Sequence, residues 1–274
     1  MKILEEFPKQ LVLLKLGGSL ITDKKRPRTL RRKTLVRLAE EIASALEQQP
    51  SLRLVIGHGA GSFAHVSAKK HGTRQGVTTP DQWYGFAEVW WDAAILNRLV
   101  VEALRAVALP VIALPPSAAV IARNGQVEHW DLGPLNAALR AGLLPVIHGD
   151  VIFDRSLGGT ILSTEDLFSH LARHFHPDRM LLAGMEQGVW QDFPNQSTII
   201  PKITPQNFRD VLPALSGSAA TDVTGGMENK VEQCVSLSRA IPDMEILIFS
   251  GDQPGTVLDV LLGSSSGTVI SSAE

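Results

Sequence analysis

The chain is 274 residues long and carries 26 Lys and Arg against 28 Asp and Glu, a formal net charge of -2. Hydrophobic residues at 44% and charged residues at 20% mark a folded globular protein, and the near-neutral balance excludes a dedicated nucleic-acid or membrane-surface binder. The one cysteine, Cys234, excludes an intrachain disulfide and a cysteine-based zinc site, so a reducing, cytoplasmic setting is expected.

The N-terminal stretch MKILEEFPKQ has two early glutamates and no apolar h-region, so it does not read as a signal peptide. Leu11–Leu16 (LVLLKL) opens a series of short, nearly continuous apolar runs. Leu52–Ile56, Ala108–Leu114, Leu143–Ile147, Met180–Ala183 and Glu245–Phe249 follow. None approaches the ~18 residues of a membrane-spanning helix. Strands buried on both faces of a parallel sheet have this pattern. Between the runs, Thr34–Gln48 repeats Leu35, Leu38, Ile42 and Leu46 on one helical face, and Gly85–Val107, Leu135–Ala141, Asp166–His174 and Glu228–Ala240 fit the same period. The alternation predicts an α/β fold, an open, mostly parallel sheet sandwiched by helices. Two segments break it. Val120–Trp130 carries Asn124-Gly125, and Val151–Leu162 carries Gly158-Gly159, which reads as a second turn of the same kind. The two predicted hairpins suggest a small antiparallel patch grafted on the sheet. A boundary between halves is expected near His176-Pro177.

In open α/β sheets ligands bind beyond the carboxyl ends of the strands, and the loops expected there are informative. The first strand runs into Lys15-Leu16-Gly17-Gly18-Ser19, where a Gly-Gly-Ser turn brings backbone N–H groups close to phosphate oxygens and Lys15 adds a charge. The second ends in Gly57-His58-Gly59-Ala60-Gly61-Ser62-Phe63-Ala64-His65, a second anion cradle with His65 beside it and His58 in a structural role. Thr221–Lys230 places a Gly225-Gly226 pair before a helix, with Lys230 one turn inside. Gly149-Asp150 and Ser163-Thr164-Glu165-Asp166 supply acids that orient lysines or hold Mg²⁺. Ser163 equally reads as the cap of the helix that follows. The basic run Lys24–Lys33 is either an electrostatic funnel for phosphates or a solvated loop. Trp83, Tyr84, Phe86, Val89, Trp90 and Ile95 crowd one stretch, either an apolar slot or an ordinary core face. Trp90 and Trp91 are adjacent and cannot both face inward, so at least one is expected to meet a partner or ligand.

Together, Lys15–Ser19, the His58–His65 loop, Gly149-Asp150-Val151 and Thr224-Gly225-Gly226-Met227-x-x-Lys230-Val231 resemble the amino acid kinase superfamily over essentially the whole chain. Within it, His65 and Ile21-Thr22-Asp23-Lys24 look most similar to the isopentenyl phosphate kinases, which phosphorylate isopentenyl phosphate with MgATP. The resemblance implies an amino-acid-kinase-like αβα fold, ATP and Mg²⁺ as cofactors, and direct in-line phosphoryl transfer. It implies catalytic roles for Lys15, Lys24, His65, Lys230, Glu165 and Asp150. Lys15, Gly17, Gly18, Ser19, Ala60, Gly226 and Lys230 would bind the nucleotide, and Gly59, Ala64, His65, Gly159, Phe86 and Trp90 the acceptor. It assigns no metal-ligating residue, and Mg²⁺ would be held either by protein carboxylates or mostly by the phosphates. Residues 1–176 would form an acceptor-binding lobe and 177–274 a nucleotide-binding lobe on one sheet. The partners implied are a small phosphate substrate, ATP and a second copy of the chain, without nucleic acid or membrane. Three departures stand out. Ala60 and Ala64 replace glycines, Glu165 stands where the family has a lysine-orienting Asp, and Met185-Glu186-Gln187-Gly188 replaces an Asp-Val-Asp-Gly stretch. Other readings are a kinase of a phosphonate or carboxylate acceptor, fosfomycin-kinase-like, and a nucleotide-binding relative that has lost catalysis.

Overall fold

The computed structural model describes residues 10–215 and 226–272. In chain order, the first half forms β1 (Leu11–Leu16), the one-turn helix α1 (Gly18–Ile21), α2 (Arg32–Gln48), β2 (Arg53–His58), α3 (Gly61–His71), the long α4 (Pro80–Ala106), β3 (Val111–Ala113), β4 (Val120–Arg123), β5 (Gln126–Trp130) and α5 (Gly133–Arg140). There follow β6 (Leu144–His148), β7 (Asp150–Asp154), β8 (Gly158–Leu162), α6 (Thr164–Phe175), β9 (Arg179–Gly184), β10 (Lys202–Ile203), α7 (Phe208–Leu215), α8 (Gly226–Ala240), β11 (Glu245–Ser250), α9 (Thr256–Leu261) and β12 (Thr268–Ile270).

Eight strands make one sheet in the order β10-β12-β11-β9-β1-β2-β6-β3. Its pairings are parallel except β11 with β12. The central strands read as unbroken apolar runs because both faces are covered. Leu11 and Leu13 of β1 point into a core shared with α6 and α8, while Val12, Leu14 and Leu16 point into a second core shared with α2, α4 and α9. The sheet sandwiched by helices is therefore as expected. Sequence chemistry also fixes helix starts. Ser163 accepts from the Asp166 amide while the Asp166 carboxylate accepts from the Ser163 amide, a reciprocal cap for α6. Thr79 and Gln82 do the same for α4.

The patch differs from its expectation. It is a separate four-stranded sheet, β5-β4-β7-β8, whose two antiparallel hairpins are joined by a parallel β4–β7 pair. The Asn124-Gly125 turn forms as read, with both residues at positive φ (50° and 71°). The second turn is not at Gly158-Gly159. Residues 155–157 make it, and Gly158 and Gly159 belong to β8, Gly159 pairing with Phe153. Asp154 captures the turn by accepting from the amides of Ser156 and Leu157. Among the described residues no helix is long and apolar enough to cross a membrane.

Candidate active site

A cavity of about 380 Å³ lies where β1, β2 and β9 end, the crevice at which open α/β sheets bind ligands. Lys15 is the penultimate residue of β1, and Gly17 caps the single turn of α1. The next loop, Gly59-Ala60, opens α3. The two loops abut backbone to backbone. A Cβ on Gly18 would lie 2.5 Å from the Gly61 amide nitrogen, and one on Gly59 would lie 2.8 Å from that of Gly18. Glycine is required at these two positions so that the two loops can touch, which sets the proposed anion cradles face to face.

Lys15 forms an ion pair with Glu165, and both side chains are largely buried, at 12% and 13% exposure. Burial alone would raise the Glu165 carboxyl, but the ammoniums of Lys15 and Lys230 outweigh it and hold the group down at about 2. Glu165 is in the first turn of α6 and is thus fixed by the Ser163–Asp166 cap. Asp166 also accepts from Gln233 of α8 at 3.2 Å, three residues past Lys230, and lies 3.7 Å from the Arg74 guanidinium. The first turn of α6 therefore joins the β1 lysine to the helix carrying the second lysine.

Of the residues expected in the site, Lys15, Gly17, Gly18, Ser19, Lys24, Gly59, Ala60, Ala64, His65, Asp150, Glu165, Gly226 and Lys230 all border this one cavity. The stretch Thr221–Gly225 lies outside the described residues. Asp150 borders the cavity but is not brought to Lys15. Its carboxylate accepts from the Ser117 and Val151 amides at 3.1 and 2.9 Å, and burial pushes it up to about 6. Gly159, Phe86 and Trp90 do not border the cavity. Phe86 is buried against Trp83 and Phe153, and a Cβ on Gly159 would lie 2.8 Å from the Phe86 ring, so Gly159 makes room for that ring. Trp90 and Trp91 lie against each other, and neither faces inward, at 42% and 57% exposure.

The apolar wall is Ala64 and Ala68 of α3 facing Val89 and Ala93 of α4, with Ile161 of β8; Ala64 and Val89 stand as expected, and Ala68, Ala93 and Ile161 are the members that sequence reading missed. Small residues spaced i, i+4 on two neighbouring helices are the signal that marks it. On the opposite side, Glu186, Trp190 and Phe193 also border the cavity, and Glu186 accepts from the Trp190 indole at 2.7 Å. His58 is structural, as read. It is fully buried, lies 3.1 Å from Asn97 and stacks on His148 at 5.3 Å.

Residues 10–250 match the amino acid kinase family. The chain is 31% identical over 273 residues to isopentenyl phosphate kinase of Methanocaldococcus jannaschii, with 96% of this chain and all of the relative covered. It is 36% identical over 255 residues to that of Haloferax volcanii, covering 90% of this chain and 98% of the relative. A solved isopentenyl phosphate kinase superposes with a TM-score of 0.80 at 28% identity, over 96% of this chain and all of that one. A product complex of the Thermoplasma acidophilum enzyme gives 0.75 at 23% identity over 96% of this chain and all of that one, a likeness of fold. Paired lysine loops at the carboxyl edge of a mostly parallel sheet, matched along nearly the whole length, lead to one assignment: the chain belongs to the amino acid kinase family.

Proposed function

We infer that the protein is a phosphotransferase that uses ATP to phosphorylate isopentenyl phosphate to the diphosphate. The observation that carries this reading is the two-sided cavity. Cations and glycine loops line one part of it, and Ala64, Ala68, Val89 and Ala93, packed in one apolar cluster, line another, with His65 next to Ala64 on α3. A phosphate with a short hydrocarbon tail matches both sides. Curated relatives of that name, aligned over nearly the whole chain, support the same acceptor.

In this reading Lys15, held by Glu165, lies between donor and acceptor phosphates and neutralises charge as the phosphoryl group moves. Amides of Gly17, Gly18 and Ser19 and the Lys230 ammonium take the nucleotide phosphates, with Lys24 at the γ-phosphate. The Gly59 loop and His65 hold the acceptor phosphate. Transfer is direct and in line, without a covalent enzyme intermediate. Mg²⁺ fits as an ion carried largely by the nucleotide phosphates, which it would neutralise. Among the described residues no three acidic, His or Cys side chains cluster to cage it. We assign residues 1–176 to an acceptor lobe and 177–274 to a nucleotide lobe, and propose a cytoplasmic homodimer, for which the exposed Tyr84, Trp90 and Trp91 on α4 offer apolar area. Sedimentation velocity tests the dimer.

The activity is tested by ATP-to-ADP turnover with isopentenyl phosphate, fosfomycin and acetylglutamate in parallel. Isopentenyl phosphate is expected to be the preferred acceptor. Turnover confined to either of the others overturns the acceptor assignment, and tight ATP binding without turnover overturns the enzyme.

A further inference from the structure

Asp92 lies on α4 and is only 2% exposed. Its Oδ2 accepts from the Ser67 hydroxyl of α3 at 2.9 Å, and its Oδ1 lies 2.6 Å from Nη2 of Arg28. Arg28 belongs to the basic loop between α1 and α2, the same loop that brings Lys24 to the cavity. A buried carboxylate is costly without a charge partner, so this contact differs in kind from a surface ion pair.

The loop is built to be held at that point. The Asp23 amide donates to the Thr29 carbonyl at 2.9 Å and closes its base, and the Asp23 carboxylate accepts from the Lys25 amide and the Arg26 guanidinium. Arg28 has left-handed backbone, φ 49°. Its amide donates to the Ser62 carbonyl at 2.9 Å, which ties the loop to the start of α3. The Arg28 side chain then carries the loop across to α4. On the cavity side, α3 presents His65 and α4 presents Val89 and Ala93.

We propose that the Arg28–Asp92 pair is a clasp that positions Lys24 against the two helices forming the acceptor wall, making both members positioning residues for phosphoryl transfer. Lys24 has a long, flexible side chain on an exposed loop. Its value to a transfer step depends on the loop's place, because misplacement by about 1 Å costs on the order of 100-fold in rate. The pair joins the cation's loop to both helices through one buried carboxylate, so loop and acceptor wall keep a fixed relation. The proposal rests on the phosphotransferase reading of the cavity.

The test uses Arg28→Gln and Arg28→Lys at the half-exposed end, with Asp92→Asn as the buried counterpart. Steady-state kinetics would use ATP and isopentenyl phosphate. Arg28→Gln is expected to lower kcat about tenfold while leaving the KM for ATP within about twofold. Arg28→Lys, which keeps the charge but loses the guanidinium fork, recovers part of the loss. In a Lys24→Ala background, Arg28→Gln costs nothing further. Unchanged kcat, or an undiminished loss in the Lys24→Ala background, overturns the proposal. If Asp92→Asn does not fold, the Arg28 variants decide alone. Amide exchange across residues 23–29 is expected to quicken in Arg28→Gln, and unchanged protection there also overturns the clasp. Should the wild type turn over no acceptor, the functional reading fails, and the exchange experiment still decides whether the pair holds the loop.

Discussion

Glu165 and Lys15 do for each other what neither could do alone. A buried carboxylate without its ammonium would be driven toward the neutral acid, and a buried ammonium without its carboxylate would lose its proton or leave the cavity. Because the native carboxyl is held at about 2, below its ordinary 4.5, the pair contributes stability that is present above pH 4.5 and lost as pH falls toward 2. Glu165→Gln should lower kcat by about 100-fold, as expected for removing one element of a preorganised charge site. It should also flatten the acid limb of stability below pH 4.5. Steady-state assays and urea melts on the same samples check both. A variant with full activity would remove the lysine-orienting role from Glu165. His65→Ala is the companion case. His65 is half-buried on α3 and borders the cavity, so its loss should cut turnover with phosphate acceptors while shifting the melting temperature little. Unchanged kinetics would take His65 out of the site. Glycine carries a different lesson at this scale. In the sequence Gly18 and Gly59 suggest room for phosphate, and the structure gives them a loop–loop contact that admits no Cβ.

At the scale of elements, the seam between α3 and α4 decides which acceptor fits. Ala64 and Ala68 face Val89 and Ala93 across it, and each small side chain is space left open for a tail. Ala93→Leu should fill that space and raise the KM for isopentenyl phosphate roughly tenfold to a hundredfold, a range typical of steric mismatch in an apolar pocket. The KM for ATP should not change, and a parallel rise in both would mean that the helices had moved as a unit. This wall was only partly legible in the sequence, where Ala64 and Val89 stand out, because Ala68, Ala93 and Ile161 join them only once the elements meet. Aromatic bulk drew attention to Phe86 and Trp90, yet Phe86 packs behind the wall and Trp90 faces away. The long strands were legible because burial on both faces writes a continuous apolar run, and α6 because its cap is local chemistry. Gly158-Gly159 misled because a turn and a strand beside an aromatic ring both call for glycine. Only the Phe86 ring over Gly159 distinguishes them. The cations of the site were legible for a similar reason, since Lys15 lies two residues before a glycine pair and His65 and Lys230 each follow a glycine loop within a few residues.

For the molecule as a whole, the central sheet places a proton-sensitive element beneath the site. His58 and His148 occupy matching positions at the ends of the parallel strands β2 and β6, with rings stacked at 5.3 Å and 7° apart. Burial pushes His58 down to about 3, helped by the charge of its neighbour, and burial pushes His148 down to about 4. Neither ring nitrogen of His148 has a hydrogen-bond partner among the described residues. In the unfolded chain both imidazoles titrate at 6.5. The unfolded state therefore binds protons that the native state refuses, and stability present above pH 6.5 is lost as pH falls toward the native values. Each histidine contributes about 1.4 kcal/mol per pH unit to that slope. Asp150 works in the opposite direction. Its raised carboxyl, at about 6 against 3.8, contributes stability that is full below 3.8 and lost as pH rises through 6. Glu165 does not enter until below pH 4.5, so the interval from 4.5 to 6.5 belongs to the two histidines, opposed by Asp150. His148→Leu removes one titrating group and two buried nitrogens without hydrogen bonds, one of them 3.5 Å from the Asp150 carboxylate, so at pH 7.5 the variant should be about as stable as the wild type. Between pH 6.5 and 4.5 its stability should fall less steeply, by one proton's worth of slope. Urea midpoints measured at half-unit steps across that interval read the difference directly. Parallel curves for variant and wild type would overturn the assignment of that slope to His148.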